Sequence, residues 1–366
     1  MRKGRLKPKI LPAVLKFMRM SSGYSVEDIA KKLGIEDPAK VKSIEEGKDL
    51  FTITQIKKLS DIYKRPLAAF FSDKPPEIPE SLPDYRINRM KKLTPHVYLA
   101  QRRAYYLSTK IAELGDKKSQ IPNYPDNIKP ESLAREFRKY LNVEQMKSKS
   151  PSFILSYYKN ILEEKLAISI IEFPLKADDV RAFSINSDVS IIVINENDNN
   201  RIKLFSLFHE VCHLIKRSSA ICSIVVEQAS HDQIETFCNR FSAEFLVPEI
   251  ELKREINKRE MVSFDHESIS KLANIYGVSK QVIMLRLLWL NFVDSRKYNE
   301  YKERAEKKEI KKGEFRKRNW DKVFYNRAGN LAIKEVSNSL RKGDITFFEA
   351  IDVLNMKSKY VEKFIS

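Results

Sequence analysis

Two histidines and a glutamate within one apolar segment are the residues of this sequence best suited to chemistry. His209, Glu210 and His213 form the pattern His-Glu-x-x-His inside the segment 204–215. Residues four apart on a helix lie on the same face, so both imidazoles can bind one metal ion, and zinc suits such ligands. Glu210 lies about 100° around the helix from His209, close to the ion without being obliged to bind it. The pattern therefore predicts a zinc site with Glu210 as general base.

Zinc and a carboxylate base together are suited to the hydrolysis of a peptide bond. A bound zinc ion acidifies water and polarises the scissile carbonyl, while Glu210 takes the proton of the water and passes it to the leaving amine. The alternative is a pair of buried core histidines that flank a glutamate without binding an ion. Because the sequence has only 5 histidines, this pattern should rarely arise by chance, and a metalloprotease is the favoured interpretation.

A third ligand is expected, because a catalytic zinc ion usually has three protein ligands and one open position. The segment 233–248 predicts a helix that ends at Pro248 and carries two carboxylates, Glu235 and Glu244. Glu235 is favoured because Asn239 lies one turn further along the same face, where it can hydrogen-bond the outer nitrogen of a ligating histidine. Glu244 stays open as an alternative ligand or as a structural anchor.

The composition favours a water-soluble, cytoplasmic protein that attracts polyanions. The formal net charge is +18 and 32% of the residues are charged, which makes nucleic acid a candidate partner. The cysteines, Cys212, Cys222 and Cys238, fall in one short region, and this argues against a disulfide framework. The N-terminus lacks a signal-peptide pattern and no apolar run reaches the ~18 residues of a membrane span, so no membrane partner is expected.

The expected fold is mostly helical with a small β-sheet. A chain of 366 residues is long enough for two or three domains. Runs rich in Ile and Val predict three strands ahead of the His-Glu-x-x-His helix, at 167–173, 180–185 and 189–194. The predicted divisions are a helix-turn-helix domain at 1–72, a proline-rich linker at 73–85, an α+β metallopeptidase domain at 86–295 and a basic helical extension at 296–366.

Short helices separated by glycines are predicted for the first 72 residues. Ser25 is suited to cap a helix that Gly34 ends, and a further short helix follows. Helix, turn and helix is the arrangement that presents a recognition helix to the major groove of DNA, here with Lys40, Lys42 and Ser43 as the presented side chains. The alternative is a small helical bundle for protein contacts or dimerisation.

The same region resembles a known family of DNA-binding domains. The segment Gly23–Gly34, with Ser43–Gly47 after it, resembles the XRE/Cro type of helix-turn-helix domain over about residues 10–71. The resemblance implies a DNA partner for the N-terminal domain.

A second resemblance covers about residues 80–290. The run from Arg201 to His213, the later pattern Glu235-x-x-x-Asn-x-Phe-x-Ala-Glu-x-x-Val-Pro248 and the segment Leu82-Pro-Asp-Tyr-Arg86 are together similar to the ImmA/IrrE family of metallopeptidases. The resemblance implies a gluzincin-like minimal peptidase domain, often fused to an XRE-type domain, that cleaves helix-turn-helix repressors and so activates genes. One departure is Cys212, where the family more often has glycine.

Two functions follow from these patterns. The first is a zinc endopeptidase whose protein substrate is a helix-turn-helix transcriptional repressor. The second is a DNA-binding transcriptional regulator that uses the protease fold as a sensor or scaffold. The presence of Glu210 in the pattern favours the first.

Overall fold

The computed structural model describes residues 6–76, 93–177, 179–217, 233–308 and 319–365. The chain forms two compact units, one of Met1–Arg103 with Leu175–Ala177 and the other of Ala104–Pro174 with Asp178–Ser366. The predicted limits at residues 72, 85 and 295 are finer than this division and stay a prediction. The segment 82–86 and most of the proline-rich segment lie outside the described residues.

The first unit contains several helices, and capping residues define both ends of one of them. The helices are α1 (Pro12–Met20), α2 (Val26–Leu33), α3 (Ala39–Glu45), α4 (Ile53–Tyr63), a 3-10 helix (Leu67–Phe71) and α5 (Pro95–Gly115), which belongs to this unit up to Arg103. Ser25 and Asp28 cap α2 reciprocally, each side chain accepting from the backbone N–H of the other. Gly34 ends α2 with a φ of 69°, a conformation that glycine adopts without strain. The predicted limits of this helix are therefore confirmed.

Three short strands form the sheet of the second unit. They are β1 (Ser169–Phe173), β2 (Ala182–Ile185) and β3 (Ile191–Asn195), in the order β1-β3-β2. β3 pairs in parallel with β1 and antiparallel with β2. Each strand lies at a predicted run of Ile and Val, so the predicted strands are confirmed. Apart from Phe173, every strand residue is buried, as expected for a sheet covered on both faces.

One helix packed on this sheet carries the His-Glu-x-x-His pattern. The helices of this part are α6 (Pro130–Leu141), α7 (Pro151–Leu166), α8 (Asn200–Ile215), α9 (Gln233–Leu246), α10 (Glu249–Lys258), α11 (His266–Tyr276) and α12 (Lys280–Trp289). α8 packs against β2, β3, α7 and α9. Every residue from Lys203 to Ile215 is buried, because the helix is apolar around most of its circumference. The neighbours of α8 therefore fix its position on all sides.

The C-terminal part of the chain is helical, as the sequence predicts. Its helices are α13 (Ser295–Lys308), α14 (Trp320–Ala328), α15 (Asn330–Lys342), α16 (Phe347–Leu354) and α17 (Ser358–Ile365). α14 and α15 both pack against β1, and Gly329 joins them with a φ of 82°. A Cβ at this glycine would lie 2.9 Å from the carbonyl oxygen of Ile170, so the close approach to β1 requires glycine. Among the described residues, none of the helices has the length and apolar character to cross a membrane.

Candidate active site

α8 begins shortly after the sheet and is capped by an asparagine. Asn199 Oδ1 accepts hydrogen bonds from the backbone N–H groups of Arg201 and Ile202, at 3.0 and 3.1 Å. The guanidinium of Arg201 donates to the carbonyl oxygens of Ala273 and Val278, at 3.0 and 2.6 Å. These bonds tie the start of α8 to α11 and to the turn that follows α11.

Three potential metal ligands meet between α8 and α9. The Nε2 atoms of His209 and His213 lie 3.1 Å apart, and they lie 3.1 and 3.3 Å from the two carboxylate oxygens of Glu235. The candidate ligand atoms of the three residues all lie within 4.8 Å of one another. Both imidazoles are buried, whereas the carboxylate of Glu235 is 16% exposed. Two imidazole nitrogens and one carboxylate form a donor set that could hold a divalent metal ion.

One of the two histidines also contacts a cysteine. The thiol of Cys238, on α9, is hydrogen-bonded to His213 and also contacts Cys212. Asn239, which we expected to support a ligating histidine, has a buried Oδ1 without a hydrogen-bond partner in the described part of the chain, and its supporting role stays a prediction. Both cysteines are buried. Cys238 lies three residues after Glu235, and this helical spacing was a usable signal that the two share a face.

Glu210 is fully buried and is held by one strand residue. Its Oε2 accepts a hydrogen bond of 2.8 Å from the hydroxyl of Ser184 on β2, while its Oε1 has no hydrogen-bond partner among the described residues. Burial raises the pKa of Glu210 above its ordinary value, and His213, His209 and the Ser184 hydroxyl oppose this effect. A buried carboxylate with a raised pKa and one oxygen without a partner is suited to accept and return a proton.

Glu244, the alternative ligand, faces other partners. It forms a buried ion pair with Arg286, its Oε1 accepts from the backbone N–H of Glu249 at 3.3 Å, and Arg135 lies 3.6 Å away. Within the described residues, the group that could hold a metal contains Glu235 and not Glu244. This geometry agrees with the structural-anchor role that the sequence left open for Glu244.

Loss of the Arg286 guanidinium should destabilise the second unit strongly. Arg286 is 1% exposed in its side chain, so Arg286→Met would leave the buried carboxylate of Glu244 without its buried charged partner, with the more exposed Arg135 still 3.6 Å away. Breaking a buried pair in this way costs about 3–5 kcal/mol. Unfolding in urea should show this loss, whereas Lys271→Ala, which removes the exposed pair with Glu267, should change stability by less than about 0.5 kcal/mol. Similar small losses in both variants would contradict the assigned role.

Metal binding should weaken as the pH falls. Burial alone would lower the pKa of His213, but hydrogen bonds to Cys238 and Glu235 raise it to about 11 in the ion-free protein. Below that value His213 carries a proton that a metal ion must displace, because only the neutral imidazole is a ligand. We expect the affinity for zinc to fall about tenfold per pH unit for each displaced proton. Competition with a chelator between pH 6 and 8 measures this dependence, and a pH-independent affinity would contradict it.

The predicted DNA-contacting residues lie on α3 of the first unit. Lys40 and Lys42 are exposed, and Ser43 is half-buried. Val41 and Ile44, which alternate with them along the helix, belong to the apolar core of the unit. The two ammonium groups are therefore available to an anionic partner.

A family comparison agrees with the geometry of the second unit. Residues 163–288 match the family model Peptidase_M78, described as an IrrE N-terminal-like domain. The match spans the three strands, α8 and α9, and it supports a protease of the ImmA/IrrE type that acts on protein and depends on a metal. It covers the C-terminal part of the region, about residues 80–290, over which the sequence resembles that family. Searches among curated proteins and among solved structures found no match.

Proposed function

We propose that this protein is a zinc-dependent endopeptidase that cleaves a helix-turn-helix transcriptional repressor and thereby derepresses genes. The observation that carries the proposal is the convergence of His209, His213 and Glu235 beside the buried carboxylate of Glu210. Zinc is the favoured ion because two imidazoles and one carboxylate are the ligands of many catalytic zinc sites. Other divalent ions can occupy such ligands in vitro.

The ligands of the ion would be His209 Nε2, His213 Nε2 and a carboxylate oxygen of Glu235. These atoms lie within 4.8 Å of one another. The side chain of Glu235 is partly exposed, so a substrate could approach the ion from the side of this residue. When bound there, zinc supplies Lewis acidity, which makes water easier to deprotonate and the scissile carbonyl easier to attack.

Glu210 would carry out both proton transfers. Oε2 is engaged by Ser184, so Oε1 is the oxygen that would accept the proton of the attacking water. The same oxygen would then give that proton to the nitrogen of the leaving amine. Burial favours the protonated carboxyl between these two steps, because the neutral form is the cheaper one in an apolar surrounding.

The choice of a repressor as substrate rests on the resemblance to the ImmA/IrrE family and on the N-terminal unit. An N-terminal domain of helix-turn-helix type would bring the peptidase to the DNA site of a repressor, or would bind the repressor itself. The exposed Lys40 and Lys42 on α3 support an anionic partner for this unit. The same two side chains favour the second candidate function, a DNA-binding regulator in which the peptidase fold acts as a sensor or scaffold.

Incubation of the zinc-loaded protein with purified helix-turn-helix repressors from the same genome tests the proposal. We expect one repressor to be cut at a defined peptide bond, which mass spectrometry of the products locates. If the protein is instead a DNA-binding regulator, we expect DNA binding without cleavage of any repressor. In that case Lys40→Ala with Lys42→Ala should weaken DNA binding, whereas the matched pair Lys57→Ala with Lys58→Ala, exposed on α4, should not.

A further inference from the structure

The face of the sheet that packs on α8 carries polar side chains among apolar ones. Ser184 pairs with Ile192 across β2 and β3, and Glu172 pairs with Ile194 across β1 and β3. Paired residues point to the same side of a sheet, and Ile192 and Ile194 are two residues apart, so all four side chains share one face. Ser184 and Glu172 are 1% and 4% exposed. A polar group in such a place destabilises the fold unless it has a hydrogen-bond partner.

Each of the two polar groups has a partner on α8, and Glu172 also accepts from Lys159 on α7 at 3.0 Å. Glu172 Oε2 accepts from Lys203 Nζ at 2.6 Å, and the hydroxyl of Ser184 donates to Glu210 Oε2 at 2.8 Å. Lys203 and Glu210 are seven residues apart, which is about two helical turns, so they lie on the same side of α8. The two bonds therefore hold the helix to the sheet at two points along its length and fix its rotation.

The bond from Ser184 occupies one oxygen of the Glu210 carboxylate. An ionised carboxylate can only accept, so the hydroxyl must be the donor in this pair. Oε2 of Glu210 accepts this hydrogen bond, whereas Oε1 has no hydrogen-bond partner among the described residues. Without the hydroxyl, the carboxylate could rotate about its terminal torsion, because that torsion is broad and has no single preferred value.

We propose that Ser184 is a positioning residue for Glu210: its hydroxyl holds Oε2 and thereby keeps Oε1 directed toward the site for proton exchange. The inference rests on the proposed function, because it assumes that Glu210 acts as the general base. The proposed role requires no contact between Ser184 and the ligand atoms. Ser184 acts through the carboxylate alone.

Two variants of nearly equal shape distinguish the effect of the hydroxyl from the effect of side-chain volume. Thr and Val differ by a hydroxyl against a methyl group, and both are suited to a strand. Ser184→Val should lower kcat for the repressor that the wild type cleaves by about 10-fold or more, with KM and zinc content unchanged. Ser184→Thr should restore most of kcat, because the donor is retained. Equal activity of the two variants would overturn the inference, as would a loss that follows the zinc content.

A double-mutant comparison tests whether Ser184 acts through Glu210. Glu210→Asp shortens the side chain by one methylene, which withdraws the carboxylate from the hydroxyl of Ser184. If the hydroxyl works by positioning Glu210, Ser184→Val should cause little further loss of kcat in this background. Fully additive losses would show that Ser184 acts independently and would overturn the proposal.

A readout without substrate keeps the two proposals distinguishable. Acetohydroxamic acid binds metal ions as its anion and loses one proton, so a nearby base that takes up this proton, here Glu210, favours its binding to the zinc-loaded protein. We expect Ser184→Val to weaken this binding several-fold and Ser184→Thr to retain it. Equal affinities of the two variants would overturn the role of Ser184. If the wild type cleaves no repressor, the proposed function fails. If Glu210→Gln cleaves the repressor as fast as the wild type, the general-base role of Glu210 fails, and the role of Ser184 fails with it.

Discussion

Glu210→Gln is expected to lower the rate of repressor cleavage by about 10²–10⁴-fold while zinc binding and the fold are retained. Glutamine has nearly the same shape as glutamate, so the buried site should keep its packing. Its amide oxygen can still accept from Ser184, as Oε2 does in the wild type. The amide cannot take up a proton, however, and this is the step that we assign to Oε1.

Glu163→Gln is the matched control for this variant. Glu163 is also a buried glutamate of the second unit, and burial raises its pKa to about 7. Its Oε2 accepts from the side chain of Asn330, remote in the sequence from the candidate ligands, and a glutamine can keep that bond. We expect near wild-type cleavage from this control. Comparable losses in both variants would mean that the loss comes from general damage to the unit, and a fully active Glu210→Gln would exclude the general-base role.

Glu235→Gln is expected to weaken zinc binding by at least about 100-fold, since removal of an outer partner of a ligand alone costs about 10–100-fold. The carboxylate of Glu235 supplies the negative charge of the donor set and lies within 3.3 Å of both imidazole Nε2 atoms. Burial alone would raise the pKa of Glu235, but His209 and His213 hold it well below its usual range. The group is therefore ionised and ready to bind a cation, which the neutral amide is not.

Glu244→Gln, on the same helix α9, is the control that separates the two candidate third ligands. An amide at this position can still accept from Arg286, and its loss of charge should reduce stability without reducing zinc binding. Zinc content after dialysis and affinity by chelator competition measure both variants. If Glu244→Gln loses zinc and Glu235→Gln keeps it, the assignment of the ligands is wrong.

The features that the sequence predicted well depend on short-range patterns. The strands have runs of Ile and Val, and α2 has its cap at Ser25 and its stop at Gly34. The common face of His209 and His213 follows from helical spacing alone. These properties are set within a few residues, so they can be recognised before the fold is known.

The contacts that the sequence did not predict depend on tertiary packing. Ser184 meets Glu210 only because of the strand register and the position of α8 on the sheet. The bond between Cys238 and His213 depends on how α8 and α9 pack. Arg286 pairs with Glu244 across 42 residues of sequence. A serine or an arginine in such a sequence carries no local signal of the partner it will find, and the spacing of Cys238 from Glu235 indicates a shared face but not the contact with His213.

Titration of the metal-free protein with zinc during repressor cleavage tests the central claim most directly. We expect no cleavage without the ion, a rate that rises in proportion to added zinc, and a plateau at one ion per chain, because His209, His213 and Glu235 form one site. Cleavage that persists in the metal-free protein, or that needs more than one ion per chain, would contradict the account.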